Sequence, residues 1–183
     1  IVARVENDSW HNVIQKVVFD KLGMSNSYPG DDPVEGMSVG YHRDLGQDEL
    51  DRMELIGDEL IYGDLVDEIN IRGLKYDYVG TAAAGSVMAT LEDMCTYSKA
   101  LLNKSNGIIS QDAFDSMLEV QYSPDSDLSI KMGLGFQVKS IFGHYAYGHN
   151  GGISGGWNTV MLLFPKLDLG LMIHLNLSSG LVE

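Results

Sequence analysis

Apolar residues near the start of the chain recur at the spacing of an amphipathic helix. Asp8 or Ser9 is the expected N-cap, and Gly23 fits the glycine position that follows many helices. The pattern therefore predicts one helix with a single buried face. The residues of that face are Trp10, Val13, Ile14, Val17, Val18 and Leu22.

Two more helices are predicted in the middle of the chain, each beginning at a hydroxyl residue. Thr90 is the expected N-cap of the first, and Asp93 completes a pattern that resembles a capping box. Ser110 is the expected N-cap of the second. Their predicted inner faces are Leu91, Met94, Cys95, Ser98, Leu101 and Leu102 in the first helix, and Ala113, Phe114, Met117 and Leu118 in the second. Cys95 is thus expected to be a small core residue rather than a nucleophile.

From Met132 onwards the pattern changes to short apolar runs that are separated by turn residues. The connectors between these runs are too short for parallel crossovers, which need about a dozen residues. The chain is therefore predicted to be α+β, with helices flanking an antiparallel sheet. The predicted strands are residues 134–138, 144–149, 157–164 and 169–176.

Composition narrows the classes of function. Of the 183 residues, 44% are hydrophobic, which suits one domain or a large piece of one. The net charge of −14 argues against nucleic-acid binding and against docking to anionic lipid, because both need a basic surface. No apolar run approaches the roughly 18 residues of a membrane span. Since the chain starts at Ile1 within an apolar pattern, it is interpreted as a piece of a larger protein.

Acidic residues concentrate between positions 31 and 68, which hold 13 of the 26 carboxylates but only Arg43 and Arg52 as bases. Glycines punctuate the same stretch, and the combination favours a solvated, loop-rich excursion. A calcium site at Asp64, Asp67 and Glu68 is a minor alternative, because oxygen ligands cluster there without EF-hand spacing. The predicted division is a helical part (1–30), an acidic excursion (31–80), further helices (81–120) and antiparallel strands (130–177).

Two common catalytic motifs are absent from the sequence. It contains no His-Glu-x-x-His and no serine three residues before a lysine. The five histidines show no metal-ligand spacing, and the single cysteine excludes a cysteine-rich zinc site. Neither a metal nor a cofactor is therefore expected.

The segment with the most chemical potential is 148–157, in which His149 precedes a cluster of glycines. Two interpretations remain open from the residues alone. The glycines either supply positive φ in a flexible hairpin or keep a strand edge bare. A bare edge would let a substrate lie against the backbone, with His149 beside the reacting bond.

Five stretches, in one order along nearly the whole chain, resemble the serine β-lactamase and penicillin-binding-protein superfamily. The likeness is to its class C β-lactamase, D-alanyl-D-alanine carboxypeptidase and esterase branch. Lys21 stands where that family usually has proline. The stretches are residues 18–24, 39–41, 84–94, 132–136 and 148–157, and the last continues through Pro165 to Asn176.

That superfamily uses three motifs, which are Ser-x-x-Lys, Tyr-x-Asn or Tyr-x-Ser, and Lys-Thr-Gly or His-x-Gly. Only the third is present, as His149-Asn150-Gly151. In the family the other two precede the stretch that corresponds to residues 18–24. The resemblance therefore implies a C-terminal portion, without the nucleophile segment and the N-terminal strands.

The resemblance implies serine acyl transfer on an amide, lactam or ester. His149 takes the place of the lysine of Lys-Thr-Gly, and Gly152 that of a backbone donor in the oxyanion hole, so both are predicted to be catalytic. Asn150 and Gly151 are predicted to bind substrate, with an acyl chain pairing along the strand. Because histidine is only partly charged at pH 7, the prediction leans away from a dedicated β-lactamase.

The alternative function is a non-catalytic binding or structural protein on the same scaffold. The expected partners are a small-molecule or peptide substrate and the missing N-terminal part of the same protein, without nucleic acid and without a membrane span in this chain. The resemblance weakly favours an extracytoplasmic or secreted location. Tyr41 and Ser86 either border the pocket or are structural hydroxyl residues.

Overall fold

The computed structural model describes residues 1–30, 35–38, 40–43, 62–65, 71–74, 82–123, 130–153 and 156–178, and the fold is given for these residues. The helices are α1 (Val2–Glu6), α2 (Trp10–Ile14), a π-helical turn (Gln15–Phe19), α3 (Asp20–Leu22), α4 (Ala82–Gly85), α5 (Leu91–Leu102) and α6 (Gln111–Leu118). The strands are β1 (Ser27–Pro29), β2 (Gly40–Arg43), β3 (Tyr62–Leu65), β4 (Ile71–Leu74), β5 (Val87–Ala89), β6 (Ile130–Met132), β7 (Gln137–Ile141), β8 (His144–Ile153), β9 (Trp157–Phe164), β10 (Leu169–Leu175) and β11 (Leu177–Ser178).

The predicted N-terminal helix is confirmed as one helical run through α2, the π-helical turn and α3. The Ser9 hydroxyl caps its start, accepting a hydrogen bond from the Asn12 N–H at 3.1 Å. Gly23 ends it in the left-handed region, with φ of 70°. Val13 and Phe19 are buried. Local capping and one apolar face together therefore define this helix.

Helices α5 and α6 begin at their predicted caps. The Thr90 hydroxyl accepts from the Asp93 N–H at 3.2 Å, and the Ser110 hydroxyl accepts from the Ala113 N–H at 3.2 Å. The buried Asp93 carboxylate has a longer-range role than in a capping box. It accepts hydrogen bonds from Asn26 N–H and the Ser27 hydroxyl, both at 2.8 Å.

The predicted inner faces of these two helices are only partly correct. Leu101 and Phe114 are buried as expected. Cys95 is exposed, so the prediction of a core cysteine is wrong. It lies roughly 200° around α5 from Tyr97, at 3.6 residues per turn, and Tyr97 packs against the core. Two other predicted core positions are also exposed, Leu91 and Ala113.

The largest sheet has five strands in the order β10-β9-β8-β7-β6, and it confirms the predicted α+β class. β7 pairs antiparallel with β6 and with β8. The sheet packs against α5 and α6, which buries apolar side chains from both layers. This core consists of Leu101, Phe114, Phe136, Val138, Tyr147, Met161 and Leu163.

Tyr147 fixes β8 to the helical layer close to the candidate site. The rings of Phe114, Phe136 and Tyr147 meet edge to face, with centroids 5.6 to 6.3 Å apart. The Tyr147 hydroxyl donates to the Leu101 carbonyl at 3.0 Å, and burial raises the pKa of Tyr147 to about 12. The phenol therefore stays a donor at neutral pH, and its anchor lies two residues before His149.

Strand boundaries differ from the prediction around β7 and β8. The predicted strand 134–138 begins as a turn, in which Gly133 N–H donates to the Phe136 carbonyl at 2.8 Å and Gly135 has φ of 77°. This turn interrupts the extended backbone, so β7 starts later than predicted. β6 was not predicted, and β8 continues through residues 150–153, which were predicted to be a connector. The next two connector residues, 154–155, lie outside the described residues.

The chain divides into two compact units. The first comprises residues 1–29, 88–149 and 160–173, with most of the described helices and most of the large sheet. The second comprises residues 30–87, 150–159 and 174–183 and contains a four-stranded sheet in the order β11-β2-β4-β3. β2 runs parallel to β11 and antiparallel to β4. The stretch predicted to be loop-rich thus contributes three short strands within its described residues.

Candidate active site

The end of β8 extends beyond the strand next to it. The pairing of β7 with β8 ends at Gln137 opposite Gly148, and β8 continues to Ile153. No residue of β7 therefore lies opposite the last five residues of β8. Gly148 is buried, and a Cβ there would collide with the Met161 carbonyl, whereas His149 is exposed. The strand thus changes from close packing to exposure at the first residue of the His-x-Gly motif.

The hairpin pairing of β7 with β8 indicates which way the Gly152 N–H points. Phe142 and Gly143 have φ of 49° and 80°, as in the two-residue turns that join hairpin strands. In such a turn the residue after the loop, His144, directs its N–H toward the partner strand. Backbone direction alternates along a strand, so the even-numbered residues of β8 share this direction. The Gly152 N–H accordingly points to the β7 side of β8, beyond the end of β7.

Two side chains of β9 occupy the space beside the adjacent glycines. A Cβ at Gly151 would lie 2.9 Å from Thr159 Oγ1, and a Cβ at Gly152 would lie 2.9 Å from Asn158 Oδ1. Both glycines are exposed and leave room for these polar groups. Sequence reasoning missed Asn158 and Thr159. The signal that could have found them is their position at the start of the next strand, across the connector from the glycines.

The start of β9 is held by Ser38, β2 and β11. Gly156 is buried with φ of +89°, and a Cβ there would collide with the backbone of Tyr41. The Trp157 indole N–H donates to the Ser38 hydroxyl at 3.1 Å. Asn158 Nδ2 donates to the Leu177 carbonyl at 2.7 Å. Three consecutive residues are therefore fixed by contacts far away in sequence.

We expect Gly156→Ala to lower the free energy of unfolding by about 1–3 kcal/mol, because it combines backbone strain with the Tyr41 collision. Gly23→Ala is the matched control, since Gly23 also has positive φ, +70°, but open space where a Cβ would be. Denaturant unfolding of both variants measures the difference. Equal losses in the free energy of unfolding of the two variants would show that the collision with Tyr41 adds nothing to the effect of backbone strain.

The structure brings the four predicted site residues together on one strand. His149, Gly151 and Gly152 are exposed, and Asn150 is half-buried. Their roles stay predictions. Of the weaker candidates, Tyr41 contributes its backbone to the Gly156 contact, and Ser86 is fully buried, with no hydrogen-bond partner for its hydroxyl among the described residues. Ser86 therefore does not line an open site.

The described residues contain no group of three or more histidine, cysteine, aspartate or glutamate side chains arranged to hold a metal ion. Asp67 and Glu68, from the alternative calcium site, lie outside the described residues. None of the helices in the described part of the chain has the length and apolar character needed to cross a membrane.

The family model described as Beta-lactamase matches residues 1–183, so this chain belongs to the β-lactamase family. The resemblance inferred from the five sequence stretches is thereby confirmed. The comparison with curated protein sequences gives no match.

Solved structures with similar folds include penicillin-binding-protein-like and amidase proteins. The octameric penicillin-binding protein homologue from Pyrococcus abyssi has a TM-score of 0.75 at 19% identity, over 97% of this chain and 36% of its own. The D-amino acid amidase from Ochrobactrum anthropi SV3, complexed with L-phenylalanine amide, has a TM-score of 0.71 at 20% identity, over 96% of this chain and 48% of its own. A class C β-lactamase has a TM-score of 0.64 at 14% identity, over 98% and 49%.

These likenesses establish the β-lactamase/transpeptidase-like fold. This chain spans less than half the length of each of the three structures, which agrees with the expected partial fold.

Proposed function

We propose that the protein is a serine hydrolase that cleaves an amide, lactam or ester bond through an acyl-enzyme. A serine oxygen attacks the substrate carbonyl, a C–O bond to the enzyme forms, and the C–N or C–O bond to the leaving group breaks. The leaving amine or alkoxide takes a proton, and water then hydrolyses the acyl-enzyme. Membership of the β-lactamase family and the fold shared with an amidase support this reaction class.

The main support from the geometry is the end of β8. It runs past β7, and the Gly152 N–H points to the side where β7 has ended. A donor in that position can stabilise negative charge on the carbonyl oxygen during attack, and such donors are worth roughly 3 kcal/mol in a transition state. An acyl chain lying along the same edge would add a strand to β8. Glycine at 151 and 152 leaves room for the Thr159 and Asn158 side chains of β9.

His149 is proposed to handle a proton or a hydrogen bond at the reacting bond. It is exposed at the point where β8 leaves β7, and an imidazole exchanges protons near neutral pH. Asn150 and Gly151 are proposed to bind the substrate through the strand between His149 and Gly152. Histidine in place of a permanent cation favours esters and peptide-like amides over carboxylate-bearing lactams.

The nucleophile is proposed to lie outside residues 1–183, because this sequence contains neither Ser-x-x-Lys nor Tyr-x-Asn. We expect a fluorophosphonate or a labelled penicillin to modify the intact protein on a serine that is not in residues 1–183. Peptide mapping of the labelled protein locates that serine. Stoichiometric labelling of any serine within residues 1–183 would contradict the proposal.

Assaying the intact protein against p-nitrophenyl esters, nitrocefin and D-amino-acid amides tests the function itself. Turnover of at least one class, lost when the labelled serine is replaced by alanine, supports a serine hydrolase. A second candidate function is a non-catalytic binding protein. It is considered because two of the three family motifs are absent from residues 1–183. An intact protein without Ser-x-x-Lys, without turnover and without labelling would favour that candidate.

A further inference from the structure

We propose that Asn158 is a positioning residue for the Gly152 backbone, and that it holds in place the N–H that faces the substrate. This inference rests on the proposed function, because it explains how the proposed oxyanion donor is held in place. Asn158 belongs to β9 and not to the His-x-Gly segment.

The amide of Asn158 is hydrogen-bonded at one end and lies beside Gly152 at the other. Its Nδ2 donates to the Leu177 carbonyl at 2.7 Å. An amide group is planar, so the hydrogen bond at Nδ2 restricts where Oδ1 can lie. That oxygen lies 2.9 Å from the position of a Cβ at Gly152. Asn158 therefore limits how far the Gly152 peptide can rotate toward β9.

Leu177, whose carbonyl accepts the hydrogen bond from Asn158, is itself held in place. Leu177 is in β11, which pairs parallel with β2 so that Leu177 lies opposite Tyr41. The Tyr41 N–H donates to the Asn176 carbonyl at 2.8 Å, and Gly156 packs directly on the Tyr41 backbone. The chain from Tyr41 through Leu177 to Asn158 thus fixes the neighbour of Gly152 to the four-stranded sheet.

This arrangement explains why position 152 carries no side chain. A methyl group at Gly152 would press on Asn158 Oδ1, which cannot retreat without stretching its hydrogen bond to Leu177. Oxyanion donors act through preorganised direction, and small displacements of such groups lower turnover strongly. A loosened Asn158 should therefore affect the chemical step more than substrate binding.

The first experiment replaces Asn158 in the intact protein. Asn158→Leu keeps the volume but removes both polar atoms, and Asn158→Asp keeps the shape but replaces the donor with an acceptor that repels the Leu177 carbonyl. We expect each variant to lose roughly 10- to 100-fold in kcat, with KM changed by less than about threefold. Asn12→Leu, which removes a surface bond to Asp8 of 2.7 Å, is the matched control and should retain full turnover.

The second experiment tests the contact by a double-mutant cycle. Gly152→Ala alone should lower kcat, because its methyl group displaces Asn158 or the Gly152 peptide. Asn158→Ala removes the side chain that the methyl group would meet. In that background, the fold loss in kcat caused by Gly152→Ala should therefore be at least about tenfold smaller. Melting curves of the four proteins show the same coupling in stability and confirm that each variant folds.

Three outcomes would overturn the inference, and the third differs from the first two because it also overturns the proposed function. If the intact protein turns over substrate but Asn158→Leu matches Asn12→Leu, Asn158 has no positioning role while the proposed function stands. The same conclusion follows if the effects of Gly152→Ala and Asn158→Ala are additive. If the intact protein turns over no ester, lactam or amide, the proposed function fails and the inference fails with it.

Discussion

Replacing His149 by alanine is expected to lower kcat/KM of the intact protein roughly 10²- to 10⁴-fold, the range for a positioned proton-handling group. The imidazole is exposed at the residue where β8 passes the end of β7. Alanine removes the proton-exchanging group and leaves the strand backbone intact. Steady-state kinetics on the best ester or amide substrate measures the loss, and circular dichroism shows whether the sheet is retained.

His144→Ala is the matched control for this prediction. His144 is an exposed histidine at the other end of β8, about 17 Å away at the rise of a strand. Alternation places it on the opposite face from His149, because the two are five residues apart. We expect its replacement to change kcat/KM by less than about threefold. Equal and small effects from both substitutions would show that His149 has no catalytic role.

Local chemistry accounts for the features that sequence reasoning predicted correctly. Ser9, Thr90 and Ser110 each cap a helix by accepting an N–H from the residue three positions ahead. Such contacts depend only on neighbouring residues, so the sequence contains all the information that they need. The α+β class also followed from the change of apolar spacing after the third predicted helix.

Features that depend on distant pairing were not predictable from the pattern. β2 and β11 are short, and Tyr41 meets Leu177 only because the chain returns to it after more than a hundred residues. An acidic, glycine-rich composition favours loops when each segment is read alone, and neighbouring strands override that preference. The wrongly predicted start of β7 has a local cause instead. Gly135 has positive φ, which interrupts the extended backbone within an apolar run whose pattern is typical of a strand.

The candidate site was predictable along one strand but not across strands. The motif places His149, Asn150, Gly151 and Gly152 next to one another by sequence alone. Asn158 is recognised as a neighbour of Gly152 only from the β8–β9 pairing and from its hydrogen bond to Leu177. The alternation of side chains within one strand gives no information about either contact.

Gly152 and Gly156 look equivalent in the sequence, but the structure separates them. Gly152 lies in extended backbone in β8, and within the part of the chain that the structure describes only the Asn158 side chain lies near the position of a Cβ. Gly156 has φ of +89° and packs against the Tyr41 backbone. Proline, whose φ is fixed near −65°, would disrupt Gly156 for purely structural reasons. A proline at Gly156 is therefore unsuitable as a control for a proline at Gly152.

Gly152→Pro is expected to lower kcat of the intact protein roughly 10²- to 10³-fold, with a smaller change in KM. Proline has no N–H, so it removes the proposed oxyanion donor directly. That N–H points beyond the end of β7, so the substitution deletes no bond of the β7–β8 pairing, which ends at Gly148. Steady-state kinetics gives kcat and KM, and a cooperative melt shows that the variant is folded.

The matched comparison separates the lost N–H from the added carbon atoms. Alanine and proline both place a Cβ toward Asn158, 2.9 Å from its Oδ1 in the unaltered chain. In the Asn158→Ala background that side chain is gone, so Gly152→Ala and Gly152→Pro differ chiefly in the N–H and the fixed φ. We expect the proline variant to be at least about a hundredfold slower than the alanine variant in this background, at the lower end of the loss for one oxyanion donor. A folded proline variant that turns over as fast as its alanine counterpart would eliminate Gly152 as the oxyanion donor, and with it the main geometric support for acyl transfer on this strand.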